Sequence, residues 1–244
     1  GMDLIVDDTP GAILLSGFDP LRREIARLSI ERLVEDGRIH PGRIEEVVQK
    51  VREELDQIIF QTGETAAFEM GIVSLPGPLA RLVGKMKYFM ISGYNLLQHC
   101  RETAVLACSM AAELELSGDL LKRAGLLHGI GWVAESRSDT PPLILSSEIA
   151  GRLRESPRFV QVIRSLHPSE DETSVEAALL RMARKISLSR PGMRRENMEI
   201  WMSRMRDLEQ VAMSFPGVSR AYAMRSGKEL RVLVETDKIS DADV

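Results

Sequence analysis

The chain has 244 residues, a formal net charge of −4, 44% apolar and 28% charged residues, and two cysteines. That length suits one large domain, or one domain with a small appendage, and a core that needs no disulfide staples. No apolar run approaches the ~20 residues of a membrane span, which excludes a helical membrane protein on this sequence.

Cys100 and Cys108 fall in one predicted helix, at a spacing too wide for a disulfide. They read as buried small hydrophobes of a reducing compartment. No signal peptide is visible and Gly1 before Met2 reads as a tag remnant, so the expectation is a cytoplasmic protein. Charge is uneven. The first 75 residues are acidic, whereas Arg181, Arg184, Lys185, Arg190, Arg194, Arg195, Arg204 and Arg206 make residues 181–206 basic. A solvated face that balances the acidic end is favoured over a polyanion-binding face, since only Trp201 is interleaved there for stacking.

In chain order, Leu4-Ile-Val and Ala12-Ile-Leu-Leu flank Asp7-Asp-Thr-Pro-Gly, a hairpin signal. Asp19 and Pro20 then open a helix as N-cap and first-turn residue, Ile25, Leu28, Ile30 and Leu33 line it, and Gly37 ends it. Pro41 starts a long helix through about residue 70. Its stripe is Ile44, Val47, Val48, Val51, Leu55 and Ile58, and its opposite face is charged. Leu75-Pro-Gly-Pro is the clearest break. Helices are predicted over 79–87, 95–115, 118–128, 143–155, 157–167, 173–189 and 195–214, punctuated by prolines. A second hairpin is predicted about Ser226-Gly-Lys.

The stretch 121–132 reads Leu-Lys-Arg-Ala-Gly-Leu-Leu-His-Gly-Ile-Gly-Trp, with Gly125, Gly129 and Gly131 giving close packing or positive φ around His128. It resembles the signature of the HD-domain metal-dependent phosphohydrolases, in which the same place reads His-Asp-Ile-Gly-Lys. The resemblance extends along nearly the whole chain to the C-terminal half of the ribonuclease Y family. Asp3-Leu-Ile-Val-Asp-Asp-Thr-Pro, the segment from Leu15 to Arg27 and Asp36-Gly-Arg-Ile-His-Pro resemble the second half of its KH domain. Asn95-Leu-Leu-Gln-His and Lys122-Arg-Ala-Gly-Leu-Leu-His resemble its two histidine motifs. Ser189-Arg-Pro-Gly-Met-Arg-Arg-Glu and the closing hairpin resemble its C-terminal end.

The resemblance implies a mainly α fold: an HD-type helical bundle with short β hairpins at both ends. The implied partition is a partial KH-like strand–strand–helix unit at 1–40, a long connecting helix and linker at 41–75, a degenerate HD domain at 76–215 and a hairpin at 216–244. The GxxG loop with which a KH domain clamps nucleic-acid backbone would lie before Asp3, so RNA binding in that manner is not expected.

The family's metal ligands are altered across several segments. His99 and His128 stand at two histidine positions. The bridging aspartate is Gly129, and the late aspartate of Ala-Asp-x-Ile-Ser is Arg184, in Ala183-Arg-Lys-Ile-Ser. A middle histidine falls at Pro142, the His-His pair at Leu166 and His167, and the signature lysine at Trp132. Phe89-Met-Ile replaces a polar stretch. Two neutral imidazoles facing a guanidinium make a poor divalent site, because the arginine donates and repels. No metal or other cofactor is therefore expected, and a divalent ion would have only His99 and His128. The implied function is a catalytically inactive paralogue acting by protein interaction or ligand sensing, and the apolar stripe of the long helix adds an expectation of self-association through helix 41–70 or an end-strand pair. The alternative is a metal-dependent phosphodiesterase or ribonuclease with rearranged ligands. Arg184 is expected to fill the vacated metal volume. Glu135 or Glu148 would close a salt bridge there, and otherwise a phosphate-sized anion pocket would remain open.

Overall fold

The computed structural model describes residues 3–6, 13–91, 93–134, 140–170, 174–189, 205–215, 217–224 and 229–234. Contacts divide the chain into two compact units, 1–187 and 188–244. The fold is mainly helical with short antiparallel hairpins. Among the described residues no helix is long and apolar enough to cross a membrane.

The first unit opens with β1 (Asp3–Val6) and β2 (Ile13–Ser16), paired antiparallel with Leu4 opposite Leu15. Helix α1 (Pro20–Asp36) follows, and the predicted caps are both present. The Asp19 carboxylate accepts from the amides of Leu21 and Arg22, and Gly37 closes the helix in the left-handed region at φ 72°. Helix α2 (Pro41–Glu69) begins at His40, whose Nδ1 accepts from the Arg43 amide at 3.2 Å. The linker histidine is thus an N-cap, which satisfies one of the four orphan amides of a helix start.

The apolar stripe of α2 meets two neighbours. Its first half meets α1 through Val47 and Val51 against Leu33, Ile25 and Leu28. Its second half meets α3 (Gly77–Lys85). There the backbones touch. A Cβ on Gly63 would fall on the carbonyl oxygen of Ala80, and one on Gly84 on that of Ile59. Of the predicted stripe, Val47, Val51 and Leu55 are buried, whereas Ile44 and Ile58 stay exposed.

A 3₁₀ turn at Met86–Tyr88 leads into a small hairpin that sequence reading did not foresee, β3 (Met90–Ile91) with β4 (Tyr94–Asn95) about Gly93 at φ 84°. It delivers the chain to α4 (Leu96–Glu113). Then come α5 (Asp119–Leu127), a 3₁₀ turn at Ile130–Trp132, α6 (Pro142–Arg152), α7 (Pro157–Arg164) and α8 (Val175–Leu188). Leu79, Val83, Met86, Leu121, Leu126, Leu127, Ile130, Ile163 and Leu180 are fully buried among them and make the main core.

In the second unit residues 205–213 are helical, and β5 (Val218–Met224) pairs antiparallel with β6 (Glu229–Val234), with a register shift between Val218 and Arg220. Glu209 accepts the Ala223 amide at 2.9 Å and ties helix to hairpin. The start of the predicted helix 195–214, most of the basic stretch and Trp201 lie outside the described residues.

Candidate functional site

The two histidines are placed by different local devices. Asn95 caps α4: its Oδ1 accepts the Gln98 amide at 3.1 Å and its Nδ2 donates to the Lys87 carbonyl at 2.7 Å. His99 therefore enters the core on the first turn of a fixed helix. His128 ends α5, its amide still bonded to the Ala124 carbonyl at 2.9 Å. The turn after it is pinned by Ser146 of α6. That hydroxyl accepts from the Gly131 amide at 2.8 Å and lies 2.7 Å from the His128 carbonyl, which it serves as donor. Pro142 starts α6, one turn before Ser146.

Each imidazole is 1% exposed, and the rings meet edge to face, 5.3 Å between centroids with planes at 76°. Tyr94 tilts against His99 at 4.9 Å. The proton positions follow from the partners. His128 Nδ1 lies 2.7 Å from the Gly125 carbonyl, which can only accept, so Nδ1 carries the proton. His99 Nδ1 lies 2.8 Å from Ser187 Oγ, and Ser187 in turn donates to Glu102 at 3.1 Å. The serine proton is committed to a carboxylate, so His99 Nδ1–H donates to the serine oxygen. Both histidines thus hold an Nδ1 proton on an acceptor and leave a bare lone pair at Nε2. Histidines that bind metals are oriented in this way.

The surroundings do not match that preparation. Arg184 lies one turn before Ser187 on α8, on the same face. Its charge acts on both imidazoles, on Tyr94 and on Cys100. Burial, reinforced by Arg184, brings His99 from 6.5 to about 4. Burial, the His99 ring and Arg184 hold His128 well below the ordinary imidazole value. Burial pushes the Cys100 thiol up to about 12.

The three glycines near His128 have ordinary negative φ, so they are there for space rather than for a left-handed turn. At Gly129, φ −86° and ψ −6° would suit any residue. A Cβ there would lie 2.5 Å from Cys100 Sγ and 2.9 Å from Met86 Sδ. Two sulfurs fill the room that an aspartate stem would need. An aspartate at this position would have to displace the packing of Cys100 and Met86 against the turn.

Other sequence-predicted positions scatter. Leu166 is core, 5% exposed. His167 turns to Ser169, 2.7 Å from its hydroxyl. Trp132 packs partly on the core and lines a recess of about 270 Å³ with Phe18, Phe89 and Lys85. Glu148 does not close a bridge to Arg184. It sits four residues before Arg152 on the outer face of α6 and meets that arginine at 3.4 Å. Glu135 lies outside the described residues.

Among the described residues no three His, Cys, Asp or Glu side chains converge as a metal cage. Hard divalent ions need several oxygen donors, and the two nitrogens and one guanidinium gathered here do not supply them.

Ser187, Glu102 and Ser146 are the residues that sequence reading passed over. Ser187 had a signal, as the serine of Ala183-Arg-Lys-Ile-Ser, and Glu102 stands one helical turn after His99. Ser146 had none.

The ribonuclease Y proteins of Syntrophobacter fumaroxidans, Thermoanaerobacter pseudethanolicus and Treponema denticola are 46%, 45% and 44% identical to this chain over 244, 244 and 243 residues. Each match covers 100% of this chain but 47–48% of the relative, so the chain spans about half the length of these curated relatives. It resembles their C-terminal half. No solved structure matches it. The family model described as HD domain matches residues 96–240, from the first turn of α4 past the closing hairpin, and the chain belongs to the HD-domain family.

Proposed function

We propose that this chain is a metal-free member of its family that binds a ligand or partner and does not hydrolyse phosphodiesters. One observation carries the reading. A guanidinium, that of Arg184, acts on both histidines, at the position where the resemblance implies a carboxylate. A fixed cation raises the cost of bringing a second, divalent cation to the same two lone pairs. The sulfur packing at Gly129 supports it, since a carboxylate stem there would have to push the Cys100 and Met86 sulfurs aside.

The ribonuclease named in the relatives supplies the second reading, a metal-dependent phosphodiesterase with rearranged ligands. Its specific support is the pair of Nε2 lone pairs, both oriented as ligands are. Elemental analysis of the purified protein, with RNA and aryl-phosphodiester assays in added manganese, separates the two. The expected result is no stoichiometric metal and no turnover above background. Metal-dependent turnover that is lost in His128→Ala would overturn the metal-free reading.

A further inference from the structure

Polar atoms around the histidines are out of balance. His99 Nε2, Thr103 Oγ1 and Arg184 Nε are buried without a hydrogen-bond partner. His99 and Thr103 are one turn apart on α4 and 1% and 0% exposed. Arg184 is one turn from the serine that holds His99. No carboxylate among the described residues pairs with Arg184. The oxygens of Glu102 accept from Gln98 and Ser187 instead. Arg181 resembles Arg184 in having an unpartnered Nε, but its terminal nitrogen donates to the Ser165 carbonyl.

This arrangement sets two demands on a ligand. The guanidinium calls for acceptor oxygens, best two in a fork. The Nε2 atoms of His99 and His128 call for a donor, because their own protons are committed on the far side of each ring. A bare anion satisfies the arginine and is repelled by the lone pairs. An oxyanion that still carries a proton satisfies both, with its oxygens on Arg184 and its O–H on an imidazole nitrogen. Hydrogen phosphate keeps that proton throughout the neutral range, and a phosphate monoester carries it in its monoanion, the form that gains as the pH falls toward its second pKa of about 6. Sulfate and phosphodiesters have none.

We infer that the His99–His128–Arg184 cluster binds a protonated phosphate group, free or as a terminal monoester, by direct hydrogen bonds and without a metal. The inference rests on the metal-free reading and names the ligand class for that same site. It also sets the selectivity: the cluster rejects the diester linkage that a nuclease centre must accept, because the discriminating contact is the P–OH.

The test is calorimetric titration of the whole, chelator-treated protein with inorganic phosphate, phenyl phosphate, dimethyl phosphate and sulfate. Phosphate or phenyl phosphate should bind ~10-fold or more tightly than sulfate and dimethyl phosphate, the scale of one unsatisfied buried polar contact. Tighter binding of phenyl phosphate assigns a terminal monoester, and tighter binding of inorganic phosphate assigns the free ion. Arg184→Met should abolish binding. Arg184→Lys, which keeps the charge and guards against a folding defect in the first variant, should bind phosphate more weakly than the parent but retain its preference over sulfate. Equal affinity for phosphate and sulfate would overturn the inference. No binding of either phosphate, with or without manganese, overturns it and leaves the metal-free reading standing. Phosphate binding that appears only after manganese is restored overturns both.

Discussion

The two halves of α2 use one apolar stripe in two ways. Toward its start the helix meets α1 through a thin seam of Leu33, Val47 and Val51, flanked by surface ion pairs such as Arg32–Glu54 and Arg43–Asp36. Toward its end it meets α3 backbone to backbone, with Gly63 facing Ala80 and Gly84 facing Ile59. The first contact is a matter of area and tolerates adjustment. The second is a matter of shape, since two helices in carbonyl contact have no side chain left to move. The histidine cluster hangs from the second kind of contact, because α3 runs directly into the turn carrying Met86 and the hairpin that caps α4.

The largest effect should come from filling that contact. Gly84→Ala or Gly63→Ala places a methyl on a backbone oxygen that no rotamer change can relieve, and should cost about 3 kcal/mol or more. Val51→Ala, in the seam with α1, removes apolar volume at a site 1% exposed and should cost about 2 kcal/mol. Chemical denaturation of the three variants measures the difference. Glycine variants no less stable than Val51→Ala would erase the distinction between the halves.

The second effect separates the halves by pH. His99 has a folded value of about 4 against 6.5 for an ordinary imidazole, so the unfolded chain takes up its proton first. Its contribution is complete above pH 6.5, falls as the pH drops, and is gone by about pH 4. The size is roughly 3 kcal/mol, the fall from 6.5 to about 4 converted to free energy. His128, also depressed, adds to the fall in the same direction. Asp36 and Glu54 beside α1 are depressed by the hydrogen bonds of Arg43 and Arg32, so their contribution is lost only at more acid pH, below the usual carboxylate range. Melting curves from pH 7 to 4 should show the loss, with His99→Gln flattening it in part. A flat profile over that range would mean that the imidazoles are not buried as neutral groups.

Much of this architecture can be read from the sequence, and what escapes has a physical cause. Caps announce themselves, because Asp19 and Gly37 each satisfy backbone groups next to them. Apolar periodicity places α1 to α8 within a few residues. It does not say which neighbour a stripe meets, and α2 meets two. The histidines can be found by motif. Their proton positions cannot, since Ser187 reaches His99 across 88 residues. The bridge from Glu148 to Arg184 fails for a similar reason: charge and helical spacing suggest partners, but Glu148 has Arg152 on its own helix face. The sulfur filling at Gly129 required knowing that Met86 and Cys100 converge there.

The smallest effects should come from the ion pairs, and they sharpen the contrast rather than create it. Arg123 and Glu155 join α5 to the residue after α6 and its turn, with side chains 21% and 9% exposed. Arg123 Nε reaches Glu155 at 2.8 Å and a terminal nitrogen meets the other carboxylate oxygen, a two-point fork. Arg32 and Glu54 join α1 to α2 through a single contact, at 39% and 38% exposure. Solvent screens the second pair on most sides, and two long side chains lose rotamer freedom to make it. The first pair is shielded and loses less freedom per bond formed. Glu155→Gln should therefore destabilise by about 1–2 kcal/mol, with little dependence on salt. Glu54→Gln should move the melting temperature by no more than about 1–2 °C, and that shift should vanish in molar salt. Melting curves of both variants at low and high salt make the comparison. If Glu54→Gln proved the more damaging of the two, the seam between α1 and α2 would be held by charge rather than by Leu33, Val47 and Val51, and the contrast between the halves of α2 would have to be drawn on electrostatic rather than steric grounds.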